Sequence, residues 1–266
     1  MKQVAVIIPL YKNQHTPAER LSLLQTHTVL KNHPLIVVHP EGLDVSPIRD
    51  EYPRFEYRAF DKKYFDGLEG YNRFMLSSEF YKAFADYEYI LICQPDVYIF
   101  RDELAEWCGR GYDYIGAPWL ERDVYKRPFI KQYMKWEQAR KHSQGKRCRQ
   151  DLFGKVGNGG MSLRRVSAHI EAIGRYRSVI DYYLETPRPF YAEDIFWGTE
   201  VKEFRYPSED EALLFAFDKD PDYCYYRTGG RLPFGCHAWN KGKTRRFWFG
   251  ILGLEPFTNK SSRYPI

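Results

Sequence analysis

The chain has 266 residues, enough for one large α/β domain or two small ones, with a substantial buried core. Its formal net charge of +5 favours an anionic ligand such as a nucleotide, or an acidic membrane surface, and is too weak to argue for nucleic acid. Five scattered cysteines without a C-x-x-C pair argue against a disulfide framework or a structural zinc and for a reducing compartment, so a cytoplasmic location is expected, soluble or peripheral at the inner membrane face.

In chain order, Val4–Ile8 reads as a first buried strand ending at Pro9-Leu10-Tyr11. Its apolar run is too short for a signal peptide or a membrane span. Thr16-Pro17-Ala18-Glu19 gives an N-cap, an N1 proline and an acid at N3, so a helix starts there, with Leu21, Leu24, Thr28 and Val29 as its sheet-facing stripe. Leu35–Val38 is strand two, ending at His39. Phe55–Phe60 alternates like an edge strand, and Gly70–Phe84 keeps a roughly helical period.

Tyr89–Cys93 is an unbroken apolar run suited to a strand buried on both faces, and it stops at Gln94-Pro95-Asp96. A carboxylate is thereby delivered to the C-terminal rim of a buried strand, where open α/β sheets hold ligands. Asp96, with Gln94 on the same face, is a site for Mg²⁺ or Mn²⁺ completed by substrate phosphates, or else a cap for the following turn. A short helix around Leu104–Trp107 and another strand, Tyr112 to Trp119, come next.

Residues 121–155 are strongly basic and read as a solvated helix or loop, or as a flap beside an anionic ligand. Val156-Gly157-Asn158-Gly159-Gly160 is glycine-rich without matching either nucleotide fingerprint. It is a turn or a place of close backbone approach, with Ser162 or its successors capping a helix through His169–Ile173. Glu193 and Asp194 precede an apolar helix, where they either favour its positive end or supply a general base. His237 is a satisfied buried histidine or a metal ligand. Lys241–Leu254 is basic and then aromatic, suited to an anionic membrane surface or to packing back on the domain.

Together, Gln94-Pro95-Asp96, the Gly116-Ala117-Pro118-Trp119 corner and Val156-Gly-Asn-Gly-Gly-Met-Ser-Leu-Arg164 resemble the GT-A class of nucleotide-sugar glycosyltransferases, and more closely a bacterial family of GT-A-like proteins of unassigned function. The resemblance runs from Val4 to Trp239. It implies a single α/β domain, a wound, mixed but mainly parallel sheet flanked by helices. Residues 1–119 would form a nucleotide-binding half, 120–155 a basic flap or insertion, 156–240 a sugar and acceptor half, and 241–266 a tail.

By position, the resemblance implies Asp96 and His237 as metal ligands for Mn²⁺ or Mg²⁺, and Asp194 as base of an inverting transfer with Glu193 beside it. Pro9, Leu10, Tyr11 and His39 would border the nucleotide, a UDP-sugar being favoured, and Gly157, Asn158, Gly159 and Gly160 would lie under the sugar. Gln94 departs from the class, which usually has Asp there, so metal affinity should lean on the bound diphosphate. The implied activity is a hexosyltransferase-like glycosyltransferase moving sugar from a nucleoside-diphosphate sugar to a glycan acceptor, in the synthesis of cell-surface polysaccharide or glycolipid. The rivals are a sugar nucleotidyltransferase, disfavoured because Pro9–Lys12 lacks glycines, and a non-catalytic binding protein of the same fold, disfavoured by the four retained groups.

Overall fold

The structure, a computed structural model, describes residues 1–186 and 190–254; the end of the expected tail, residues 255–266, lies outside them. The first half alternates strands and helices: β1 (Lys2–Pro9), α1 (Pro17–Val29), β2 (Leu35–Pro40), α2 (Ser46–Glu51), β3 (Phe55–Phe60), α3 (Gly67–Met75), α4 (Ser78–Lys82) and β4 (Tyr87–Cys93). There follow β5 (Tyr98–Ile99), α5 (Leu104–Gly109), β6 (Tyr114–Gly116), α6 (Pro128–Ser143), β7 (Met161–Arg165), α7 (Val166–Arg175) and α8 (Arg177–Glu185). The chain then runs through α9 (Glu193–Thr199), α10 (Glu209–Phe215), β8 (Ala216–Phe217), α11 (Pro221–Arg227), β9 (Gly235–Cys236) and α12 (Thr244–Leu252).

Six strands form one sheet in the order β3-β2-β1-β4-β7-β6. Strands β3, β2, β1 and β4 are mutually parallel, and β7 runs antiparallel to both β4 and β6. Both faces are covered, as a continuous apolar strand requires. Ala5, Ile7, Ile90 and Ile92 join the core under α3, α4 and α7, while Val6, Ile8, Leu91 and Cys93 face the opposite core with Leu23 and Trp107. A second sheet, β5-β9-β8, carries a third core containing Phe217, Trp239, Trp248 and Phe249. This is the expected single α/β domain with a mainly parallel sheet. Among the described residues no helix is long and apolar enough to cross a membrane.

Several local readings are corrected. Thr16 and Glu19 do form the capping box of α1, with Oγ1 accepting from the Glu19 amide at 3.3 Å and Oε2 from the Thr16 amide at 2.7 Å. The buried face of α1 is Ala18, Ser22, Leu23 and Thr26, however, and Leu24 is 54% exposed. Two hydroxyls disguised that stripe: Ser22 accepts from the Trp239 indole at 2.8 Å, and Thr26 meets Cys93 Sγ at 3.5 Å.

The helix expected over Gly70–Phe84 breaks in two because Ser77 accepts from the Phe80 amide at 3.2 Å and starts α4 afresh. Met161–Arg165 is a strand rather than a continuation of the turn, so Ser162 lies inside β7 and α7 begins at Val166. The strand expected over Tyr112–Trp119 is only three residues long.

Candidate functional site

The chain leaves β1 for β2 and β3 on one side and returns to place β4 on the other, so the order reverses between β1 and β4. Ligands of wound sheets bind at the carboxyl ends of the strands flanking such a point. Here those ends carry Pro9-Leu10-Tyr11 and Gln94-Pro95-Asp96. The antiparallel β7 brings its N-terminal end to the same rim, with Met161 opposite Cys93 and the Gln94 amide donating to Gly160 O at 3.0 Å. The glycine-rich loop therefore lies beside the strand end that bears Asp96.

The small sheet completes the cluster. β8 and β9 are parallel, pairing Phe217 with Cys236, so the residues that follow them, Asp218 and His237, leave the sheet side by side. His237 Nδ1 lies 3.1 Å from Asp218 Oδ1, and its Nε2 lies 3.3 Å from Asp96 Oδ1. Lys241 reaches the other oxygen of Asp96 at 2.5 Å with a mostly exposed side chain. Asp96 itself is only 5% exposed and caps no turn; Asp102 does that for Leu104 at 3.3 Å. Burial works against its charge, yet His237 and Lys241 outweigh burial and hold the carboxyl below the usual range. Burial likewise disfavours a charged imidazole, but Asp218 and Asp96 push His237 up to about 10.

This set fits a divalent cation. His237 Nε2 is buried without a hydrogen bond among the described residues. Asp218 fixes the ring through the other nitrogen, the outer-shell arrangement of metal-binding histidines. Cation binding there requires the neutral imidazole and so releases a proton. Gln94, partly buried, follows the end of β4 and turns its side chain to the Tyr71 hydroxyl. Another cluster of ligand-type side chains, His142, Cys148 and Asp151, lies under α6. Its carboxylate is already taken by the Cys148 amide, Gln138 and His142 at 2.8–2.9 Å.

The glycines are there for close approach. A β-carbon on Gly157 would lie 1.8 Å from the Trp119 ring, on Gly159 1.8 Å from Glu193 Oε1, and on Gly160 2.2 Å from His237 Nε2. The Gly-Ala-Pro-Trp corner and the glycine loop are thus one packed unit. The left-handed position belongs to Asn158, at φ 89°, whose Oδ1 accepts from the Gly160 amide at 2.9 Å.

Glu193 and Asp194 open α9 but differ in surroundings. Glu193 is 2% exposed and pairs with the fully buried Arg164 at 3.1 Å, while Arg164 also donates to Tyr81 at 2.8 Å and to Ser162 at 2.9 Å. The Glu193 amide donates to Asn72 at 3.2 Å. Glu193 therefore anchors the helix start under the glycine loop. Asp194 instead lines a cavity of about 360 Å³ together with Trp119, Arg149, Phe190 and Asp218. Burial raises its carboxyl above the usual aspartate range, the Ile195 amide opposes this, and the charge of Asp218 adds to it.

A groove of about 570 Å³ follows the ends of β1, β2 and β3, lined by Tyr11, Pro40, Glu41, Lys62, Lys63 and Phe65 among others. Of the expected nucleotide neighbours, Tyr11 lies in it. Pro9 and Leu10 are buried, and the 8%-exposed His39 turns its ring toward Tyr57 at 6.2 Å. The basic-aromatic tail gives its rings to the third core: Trp248 and Phe249 are buried beside Trp239 and Phe217.

Residues 54–237, which include Asp96, the glycine loop, the acid pair and His237, match the family described as Protein of unknown function (DUF5672). The chain belongs to that family. No curated protein matches the sequence. Among solved structures, the galactosyltransferase LgtC in complex with donor and acceptor sugar analogs is similar at a TM-score of 0.52 and 12% identity, over 96% of this chain and 98% of that one. An active-site mutant of LgtC gives 0.54 at 14% identity, over 94% and 95%. The bifunctional glycosyltransferase WbbM gives 0.54 at 12% identity, over 91% of this chain and 46% of that one. At such identities the likeness is one of fold, and the fold is that of GT-A glycosyltransferases.

Asp218 and Arg164 went unread in the sequence. Asp218 had a signal: like Asp96, it is an acid just beyond a short apolar run, here Phe215-Ala216-Phe217, of which Ala216–Phe217 is β8. Arg164 had none, since an arginine followed by another in a strand reads as surface.

Proposed function

We propose that this protein is an inverting glycosyltransferase that moves a sugar from a nucleoside-diphosphate sugar, with UDP-sugars favoured, to a glycan acceptor in the synthesis of cell-surface polysaccharide or glycolipid. Residues 1–119 serve as its nucleotide half and 156–240 as its sugar half. One observation carries the reading. Asp194 lines the same cavity as Asp218, and Asp218 holds His237 toward Asp96 at the switch point of the sheet. A proton acceptor and the carboxylate that orients the cation-holding histidine therefore border one space, next to which glycosyl transfer can take place.

In that reading the donor's nucleoside occupies the groove at Tyr11, with Lys62 and Lys63 toward its anionic part. Asp96 and His237 hold Mn²⁺ or Mg²⁺, which when bound supplies Lewis-acid charge for the leaving diphosphate. Lys241, released from Asp96, offers its ammonium to the phosphates. Asp194 takes the proton of the acceptor hydroxyl as its oxygen bonds to the anomeric carbon. The carbon–oxygen bond to the diphosphate breaks in the same step, and its electron pair leaves with the phosphate. Trp119 offers a flat apolar face to the acceptor sugar. Glu193 acts by positioning α9.

Isothermal titration with UDP in the presence and absence of Mn²⁺ tests the reading. Metal-dependent binding by the wild type that disappears in Asp96→Asn is expected. Binding that ignores both the metal and the substitution contradicts it.

A further inference from the structure

Helix α6 presents a face of exposed rings to solvent. None of its residues is buried, and Phe129, Tyr133 and Trp136 are 92%, 60% and 58% exposed. Their spacing of four and three residues puts them on one face, continued by Arg140, whose guanidinium lies 5.5 Å from the centre of the Trp136 ring. Three neighbouring rings in water are costly and call for an apolar partner.

The surrounding charge says of what kind. Residues 121–155 hold eleven lysines and arginines against four acids, a surplus larger than that of the whole chain. Lys126, Arg127, Lys131, Lys135 and Arg140 are all exposed. The single acid of α6, Glu137, is paired with Lys141 at 3.0 Å and receives a hydrogen bond from Gln150 at 3.1 Å. Asp123 is likewise paired, with Lys126 at 3.0 Å. Rings amid a surplus of cations match a surface that is apolar below and anionic above, since aromatic side chains settle at the headgroup level and nearby cations meet lipid phosphates.

We propose that α6 docks the protein on an anionic lipid bilayer, with Phe129, Tyr133 and Trp136 entering the interface and the flanking lysines and arginines meeting the headgroups. The docking face adjoins the site. Gln138 and His142 of α6 hold Asp151 at 2.9 and 2.8 Å, in the segment whose Arg149 and Leu152 line the Asp194 cavity. The cavity is therefore held close to the membrane plane.

The test uses the full chain with vesicles of equal parts phosphatidylglycerol and phosphatidylcholine, against phosphatidylcholine alone. Sedimentation should show binding to the anionic vesicles only, weakened by added salt. Brominated lipid should quench Trp136, since Trp107, Trp197, Trp239 and Trp248 are buried and Trp119 partly so. The combined variant Phe129→Ser, Tyr133→Ser, Trp136→Ser alters only exposed positions, so its melting temperature should hold while vesicle binding falls at least tenfold. Equal binding to neutral vesicles, or undiminished binding by this variant, overturns the proposal. So does self-association that the variant abolishes when vesicles are ignored, because the face then meets a second copy.

Discussion

His237 is held at Nδ1 by the carboxylate of Asp218, 3.1 Å away, which leaves Nε2 turned toward Asp96. Removing that outer carboxylate should loosen the ring without touching either ligand. Asp218→Asn is expected to weaken Mn²⁺-dependent UDP binding about 10- to 100-fold, the usual effect of losing such a partner. Titration calorimetry reads this directly, and wild-type affinity in the variant would show that the orientation of His237 does not matter.

Gly160 packs against the Nε2 edge of the same ring. In Gly160→Ala the added methyl would lie 2.2 Å from Nε2, so the imidazole or the loop must move. The overpacking should cost about 1–3 kcal/mol of stability, and metal-dependent binding should be lost. Urea denaturation and calorimetry on one sample separate the two effects. Intact binding with full stability contradicts the packing described.

Glu193 and Arg164 form a buried pair, and the expected consequence is structural. Glu193→Gln leaves the arginine charge uncompensated and should destabilise by about 3–5 kcal/mol. Denaturant midpoints measure it. A variant of wild-type stability that transfers no sugar would return Glu193 to a catalytic role.

Much of this was legible in the sequence. The strands from Val4, Leu35 and Tyr89 read correctly because buried parallel strands are continuous apolar runs, the one from Phe55 because an edge strand alternates, and the Thr16–Glu19 box because its signal is local. Asp96 and His237 were named, and they meet because β5 and β9 pair, a long-range event with no local trace. The same holds for Asp218. The α1 stripe was misread because Ser22 and Thr26 occupy core positions and satisfy their hydroxyls with distant partners. Glu193 and Asp194 look equivalent as neighbours, and only the arrival of Arg164 from β7 separates them.

Asp194 carries a stability cost whose pH dependence has a definite sign. Its carboxyl titrates higher in the folded protein than in the unfolded chain, chiefly through burial. The charged form is therefore penalised in the fold above the folded pKa, and the penalty vanishes below the ordinary aspartate value of about 3.9. Asp194→Asn should raise the melting temperature at neutral pH, with the gain shrinking as pH falls through that window. A gain independent of pH would mean that the carboxylate is not strained by its site.

The central claim is that Asp194 accepts the proton of the acceptor hydroxyl, and the transfer rate of Asp194→Asn with a UDP-sugar donor tests it most directly. Donor affinity, measured alongside by calorimetry, should stay near the wild-type value, because a base acts in the transition state. Turnover should fall on the order of a hundredfold or more. Transfer at the wild-type rate by a variant that still binds donor would contradict the account.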